Sequence, residues 1–251
     1  MDNFREYFSK YANEYAMSKS HRGGEDLIAM INLIDPKPDW VVADLAAGTG
    51  FTSMKVAPYV KKVVALDGTE GMLEKARELS REKGILNIEF VKAMVEKTGL
   101  PDRSFDLVTC RRAAHHFPDK KEFLSEAMRI LKDNGKLVLI DMVRPENDKD
   151  DIRNRMEKLR DHSHADAPSV SRWKMLFREV GVSLDSVIST KELIKFNDFL
   201  FPVKPDSREG IECLQYLRSL PYERLIFADI NPVDLSIIKE RVIFLCSRKG
   251  V

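Results

Sequence analysis

The chain has 251 residues, 43% of them hydrophobic, and 41 basic against 40 acidic side chains give a formal net charge of +1. That length and apolar content bury a full core as one large domain or one domain carrying a smaller subdomain, while the balanced charge offers no field to recruit nucleic acid or an anionic membrane, so a small or neutral partner is expected. Cys110, Cys213 and Cys246 are odd in number and lack metal or C-x-x-C spacing, the charged start at Met1 to Glu6 has no apolar signal core, and no run approaches the ~18 apolar residues of a membrane span; a cytoplasmic protein without disulfides is expected.

Residues 2–34 carry helical spacing at Phe4, Phe8, Tyr11 and Tyr15, then at Leu27, Ile28, Ile31 and Ile34, which predicts a helical arm over residues 1–35. Such an arm either packs on the body of the protein or folds over a ligand crevice as a lid. From residue 40 to 142, short β-branched runs alternate with helix-period segments, the pattern of βαβ units and a parallel sheet. Strands are predicted at Trp40 to Asp44, Lys62 to Asp67, Ile88 to Lys92, Phe105 to Cys110 and Gly135 to Met142. Helices are predicted at Ser53 to Tyr59, Gly71 to Lys83 and Lys121 to Lys132, the last closed by Asp133-Asn134-Gly135. Arg144 to Asp150 reads as a linker. Beyond it the pattern predicts helices at Asp151 to Arg160, Ser171 to Val180 and Ser207 to Leu220, and strands at Leu184 to Phe196 and Val242 to Ser247. Right-handed crossovers place ligands at the carboxyl ends of the strands, where Asp44, Asp67 and Cys110 fall.

The first strand runs into Asp44-Leu45-Ala46-Ala47-Gly48-Thr49-Gly50, and Asp67 closes the second strand seventeen residues after Gly50. A tight small-residue turn lets backbone N–H groups approach a nucleotide-like ligand, and an acid at the next strand end accepts both hydroxyls of a ribose. The turn is neither the G-x-G-x-x-G of a dinucleotide site nor the G-x-x-x-x-G-K-[ST] of a phosphate loop. An acid leading into it suits a ligand carrying an ammonium and a sulfonium rather than a pyrophosphate, which points to S-adenosylmethionine.

These motifs, together with Ala65-Leu66-Asp67 followed by Met72-Leu73, Phe105-Asp106-Leu107-Val108 leading to His115-His116-Phe117-Pro118-Asp119, and Leu131 to Lys136, resemble the class I S-adenosylmethionine-dependent methyltransferases. Within that class they are similar to the branch of the ubiquinone/menaquinone-biosynthesis C-methyltransferases. The resemblance covers residues 7–142 well and the rest loosely. It implies an α/β fold, Rossmann-like, with a seven-stranded, mostly parallel sheet, helices on both faces and a reversed β-hairpin ending in an antiparallel last strand. It divides the catalytic domain, 36–251, into a cofactor core at 36–142 and an acceptor-shaping, sheet-closing region at 143–251.

The same resemblance assigns roles by position. Asp44 approaches the methionine ammonium, partly through water, and Ala46, Gly48 and Gly50 offer backbone contacts. Asp67 holds the ribose, Gly68 and Met72 flank the adenine, and Cys110 and Arg111 lie beneath the methionine portion. Tyr15, Ser18 and His21 of the arm resemble a cap over the cofactor. Two positions depart from the pattern. Ala46 stands at the first motif glycine, which suits a negative φ there. Met94 stands where relatives often place an acid, leaving the adenine to the Met94 backbone and to apolar stacking beside Val95.

His116 is the candidate general base, with a satisfied loop histidine as the plain alternative. The cluster Arg160-Asp161-His162-Ser163-His164 lies where the acceptor is expected, but two histidines at i and i+2 without a third ligand do not make a metal site, and no metal is assigned. The expected activity is methyl transfer to a small, apolar or aromatic acceptor. A silent nucleotide-binding or scaffolding protein, a nicotinamide oxidoreductase and a nucleic-acid methyltransferase are the weaker readings.

Overall fold

The computed structural model describes residues 3–18 and 22–248. Helices α1 (Asn3–Met17) and α2 (Glu25–Ile34) precede an alternating run: β1 (Val41–Leu45), α3 (Phe51–Val56), β2 (Lys62–Asp67), α4 (Glu70–Glu82), β3 (Ile88–Lys92), β4 (Phe105–Arg111), α5 (Lys120–Ile130) and β5 (Leu131–Val143). The second half contains α6 (Ile152–Arg160), α7 (Val170–Glu179), β6 (Val182–Ile194), α8 (Phe196–Phe199), α9 (Arg208–Arg218), α10 (Tyr222–Phe227) and β7 (Ile237–Arg248). Among the described residues no helix is long and apolar enough to cross a membrane.

The seven strands form one sheet in the order β3-β2-β1-β4-β5-β7-β6. The first five are parallel, and β7 runs antiparallel to both β5 and β6, giving the expected reversed hairpin. From β1 the chain crosses to β2 on one side and later returns to β4 on the other. The crossovers diverge at that switch point and leave a crevice above the carboxyl ends of β1 and β4.

Both faces of the sheet are covered, so its central strands read as continuous apolar runs. On one face α5 and α7 bury Phe123, Leu124, Trp173 and Phe177 against Val108, Leu139 and Phe244. Trp173 stacks on Phe177 at 5.7 Å between ring centroids, and Phe244 meets Phe177 edge-on at 5.3 Å. On the other face Leu27, Met30 and Ile34 of α2 pack on Val42, Val63, Leu107 and Ile140. A third cluster, including Ile152, Met156, Phe199, Cys213 and Leu217, forms a lobe beside the sheet.

Three local differences from the sequence expectation have clear causes. Helix α5 is capped by Asp119, whose Oδ1 accepts the N–H groups of Lys121 and Glu122 at 2.9 Å each, but it ends at Ile130. Residues from Leu131 onward are already extended, with Leu131 paired to Phe105 ahead of a register shift. Gly135 is therefore not a helix cap: a Cβ there would lie 2.7 Å from Leu131 Cδ1 and 3.0 Å from the Phe105 carbonyl oxygen. The short helices α8 and α10, each under two turns, carry too little period to be read from sequence.

Candidate active site

Above the switch point lies a cavity of about 700 Å³, within the ~300–1,000 Å³ typical of small-molecule sites. Its floor is the turn after β1 and the ends of β2 and β4; α1 and the loop after α6 close it from above. Of the residues expected from sequence, Tyr15, Ala46, Gly48, Asp67, Gly68, Met72, Met94, Val95, Arg111 and His116 line it. Ser18, Asp44, Gly50 and Cys110 do not, and His21 lies outside the described residues.

Asp67 ends β2 at the cavity edge. Its Oδ2 accepts the Gly48 N–H and its Oδ1 the Thr69 N–H, both at 2.8 Å. Burial raises its pKa, and these two bonds pull against that without winning. Two further hydroxyl donors would hold the charged form and complete the carboxylate's acceptor capacity. The turn is shaped around this residue: Ala47 donates its N–H to the Leu66 carbonyl at 2.9 Å, and Gly48 sits at φ +54°. Ala46 shares that left-handed conformation at φ +54°, against the negative φ expected, because the turn must aim consecutive N–H groups at the end of β2. The strain, about 1–2 kcal/mol, is borne at the cavity wall.

Asp44 stands apart from the cavity lining. The strand period of two puts it on the Val42 face, under α3. There its Oδ2 accepts from Ser53 Oγ at 2.6 Å and its Oδ1 from Thr109 Oγ1 at 2.8 Å, with the residue 1% exposed. Burial pushes its pKa up to about 6 despite those bonds. The carboxylate ties β1 to β4 and α3; it does not face the cavity. Gly50, at φ +80°, starts α3, and a Cβ there would meet Ala76 Cβ at 3.0 Å, so its glycine serves helix packing. Cys110 and Arg111 are neighbours on β4 and cannot share a face. The Cys110 thiol is enclosed in the core, where burial pushes its pKa well up.

Arg111 turns the other way and meets Asp26 of α2 through two bonds, Nε to Oδ2 at 3.1 Å and Nη2 to Oδ1 at 2.9 Å. Arg112, missed by the sequence reading, adds Nε to the same Oδ2 at 3.0 Å, from a backbone at φ +55°. Two guanidinium groups thus share one carboxylate. Arg112 Nη2 is buried without a hydrogen-bond partner among the described residues, and burial together with Arg111 and Arg241 lowers its pKa to about 9. Two cationic side chains thus stand at this end of the cavity. No contiguous motif announces it, since Asp26 lies 85 residues before Arg111.

Three histidine rings pack beside it. His115 is fixed by Asp141, with Nδ1 to Oδ1 at 2.6 Å and its backbone N–H to Oδ2 at 2.9 Å. His116 lies 4.1 Å from His115, centroid to centroid, with Nδ1 3.0 Å from Ser163 Oγ, and Phe8 of α1 meets its ring edge-on at 4.9 Å. His164 Nε2 lies 2.8 Å from Asn154 Oδ1. Burial, then the adjacent His115, lowers His116 to about 4; burial lowers His164 to about 2. Both are neutral at pH 7. Among the described residues no group of three His, Cys, Asp or Glu side chains is arranged to hold a metal ion. Trp173, Phe177 and Phe199 belong to the core clusters rather than to the cavity wall.

The sheet order, the reversed last strands and the turn-to-Asp67 contact define a class, and known proteins share it. Residues 43–139 match the family described as a methyltransferase domain, and the chain belongs to the class I S-adenosylmethionine-dependent methyltransferases. Membership of that class makes S-adenosyl-L-methionine its cofactor. Over 171 residues, 68% of this chain and 68% of the relative, it is 39% identical to the uncharacterized methyltransferase YcgJ of Bacillus subtilis. The crystal structure of YcgJ superposes with a TM-score of 0.83, at 28% identity, covering 90% of this chain and 99% of that one. The ubiquinone/menaquinone biosynthesis C-methyltransferase UbiE of Shewanella sediminis is 34% identical over 116 residues, 45% of this chain and 46% of that enzyme. At 15% identity and a TM-score of 0.64, phosphoethanolamine N-methyltransferase 2 of Haemonchus contortus, solved with S-adenosyl-L-methionine, shares the fold over 98% of this chain and 60% of its own.

Proposed function

We propose that this protein transfers the cofactor's methyl group to a small, apolar or aromatic acceptor seated between Arg112, His116 and Phe117. The observation that carries this reading is the continuity of the cavity from Asp67, at one end, to the histidine cluster at the other. The lining residues fit the cofactor's chemistry along that length. Asp67 offers acceptor capacity to a ribose, and Gly68, Met72, Met94 and Val95 offer a largely apolar slot to an adenine. The guanidinium groups of Arg111 and Arg112, both at the cavity lining, offer positive charge toward the carboxylate of the methionine portion. Asp44 acts indirectly, by holding β1, β4 and α3 in register beneath the turn.

The bound cofactor supplies an electrophilic sulfonium methyl. The chain contributes alignment and exclusion of water. Phe8 and Tyr15 of α1 line the roof, and Tyr15 meets Phe201 of the lobe edge-on at 5.8 Å, so the arm and the region after residue 142 enclose the acceptor together. Helix α1 therefore acts as a cap, while α2 packs on the sheet. Radiolabelled S-adenosylmethionine incubated with a cytosolic metabolite extract is expected to label a small organic-extractable product. Tight S-adenosylhomocysteine binding without any labelled product would favour a silent binder, and labelled macromolecule would overturn the small-acceptor assignment.

A further inference from the structure

The loop after α6 reaches back 47 residues in sequence to touch His116, and the contact orders a single proton. Asp161 Oδ1 accepts both the Ser163 backbone N–H at 2.9 Å and the Ser163 hydroxyl at 2.5 Å. A serine hydroxyl has one proton to donate. With that proton committed to Asp161, Ser163 Oγ meets His116 Nδ1 only as an acceptor. The ring proton therefore sits on Nδ1, and Nε2 carries the lone pair, on a ring that lines the cavity. The other two histidines are committed differently, His115 to Asp141 and His164 to Asn154.

Building on the cavity reading above, we infer that His116 Nε2 is the proton acceptor of methyl transfer, that Asp161 and Ser163 position it by fixing its tautomer, and that the acceptor is therefore a compound bearing an X–H proton on the methylated atom. Atoms and electrons balance in the step. The acceptor atom's electron pair forms the new X–CH3 bond while the S–CH3 pair stays on sulfur as a thioether. The X–H proton passes to Nε2, and the imidazolium later releases it to water. A base that burial keeps neutral suffices, because X–H becomes strongly acidic only as the X–CH3 bond forms. The imidazolium is relieved by Asp161 through Ser163 and by Asp141 beyond His115. Among the described residues, the charged and titratable groups around His116 include His115 and Asp141 at the β4 and β5 ends and Asp161 and His164 in the loop, and α1 meets it through the Phe8 ring. Of these, Asp161 and Asp141 favour the protonated ring and His115 opposes it.

The test uses full-length protein with 15N-labelled histidine, saturated with S-adenosylhomocysteine. Nitrogen-detected NMR is expected to show His116 as the neutral Nδ1–H tautomer from pH 8 down to about pH 5, a tautomer mixture in Ser163→Ala, and recovery in Ser163→Thr, which keeps the hydroxyl. An Nε2–H tautomer in the unsubstituted protein, or no change in Ser163→Ala, overturns the relay. In the extract assay, His116→Gln is expected to lower label transfer by about 100-fold or more with S-adenosylhomocysteine affinity unchanged; transfer at the parent rate overturns the base. Failure of the parent protein to bind S-adenosylhomocysteine would instead strike the cavity reading itself.

Discussion

Asp26→Asn isolates the charge pairing that anchors α2 to the cavity floor. In the parent protein three bonds of 3.1, 2.9 and 3.0 Å converge on one carboxylate, with side-chain exposures of 4% for Asp26, 4% for Arg111 and 8% for Arg112. Removing the negative charge leaves two buried guanidinium groups side by side, and breaking a buried pair in this way costs about 3–5 kcal/mol. For a chain of this size the melting temperature should fall by roughly 6–20 °C. The pH dependence gives a second handle. Burial alone would raise the Asp26 pKa, but Arg111 and then Arg112 outweigh it and bring it down from 3.8 to about 2. Because the folded value lies below the unfolded one, the stabilisation, roughly 2.5 kcal/mol, is complete above about pH 4 and is lost as pH falls through about 2. Urea titrations at pH 7 and at stepped pH below 4 should show a large gap between parent and variant that narrows with acid. A gap under 1 kcal/mol at pH 7, or one that acid leaves unchanged, would refute the ion-pair argument.

Asp67→Ala is expected to weaken S-adenosylhomocysteine binding by about 100-fold or more in calorimetry, since two charge-assisted hydrogen bonds at about 1.5–3 kcal/mol each would be lost; a change under threefold would count against the ribose role. Asp44 should show the opposite pH sign to Asp26. Its folded pKa is raised, by burial, to about 6, so the folded state holds a proton the unfolded chain releases and stability falls by roughly 3 kcal/mol as pH rises from about 4 to 6. Asp44→Asn should abolish that decline, and parallel pH curves for parent and variant would contradict it. Ala46→Gly relieves a left-handed φ at an entropic cost of about 0.5–1 kcal/mol, so thermal stability should stay level or rise; a loss above 1 kcal/mol would show that the alanine methyl packs productively.

Much of the fold was legible because its signals are local. The runs Val41–Leu45 and Lys62–Asp67 are β-branched and bounded by turn residues, and both strands fall within a residue of their expected ends. Asp67 was legible for the same reason: an acid ending one strand and a glycine turn ending its neighbour must lie side by side once the two strands pair in parallel. Placement was less legible, because a motif states neither which face a side chain occupies nor how far from the cavity it stops. Cys110 and Arg111 belong to one motif, yet the strand period sends Cys110 into the core, whereas Asp44 shares its sheet face with Asp67 and Arg111 and stops short of the cavity, its carboxylate taken by Ser53 and Thr109. Applied to β4, that period of two separates Cys110 from Arg111 on residue spacing alone.

Sequence alone determined the parallel βαβ core, the tight turn after β1 and the carboxylate facing it, since each follows from residue types within a few positions of one another. Tertiary structure decided the rest of the site. The Arg111, Arg112 and Asp26 cluster spans 85 and 86 residues, and the Ser163 contact with His116 spans 47. Their polar partners are chosen by which segments fold over the end of β4, because a buried charge or ring nitrogen must be satisfied by whatever packing brings near, and no local pattern encodes that choice.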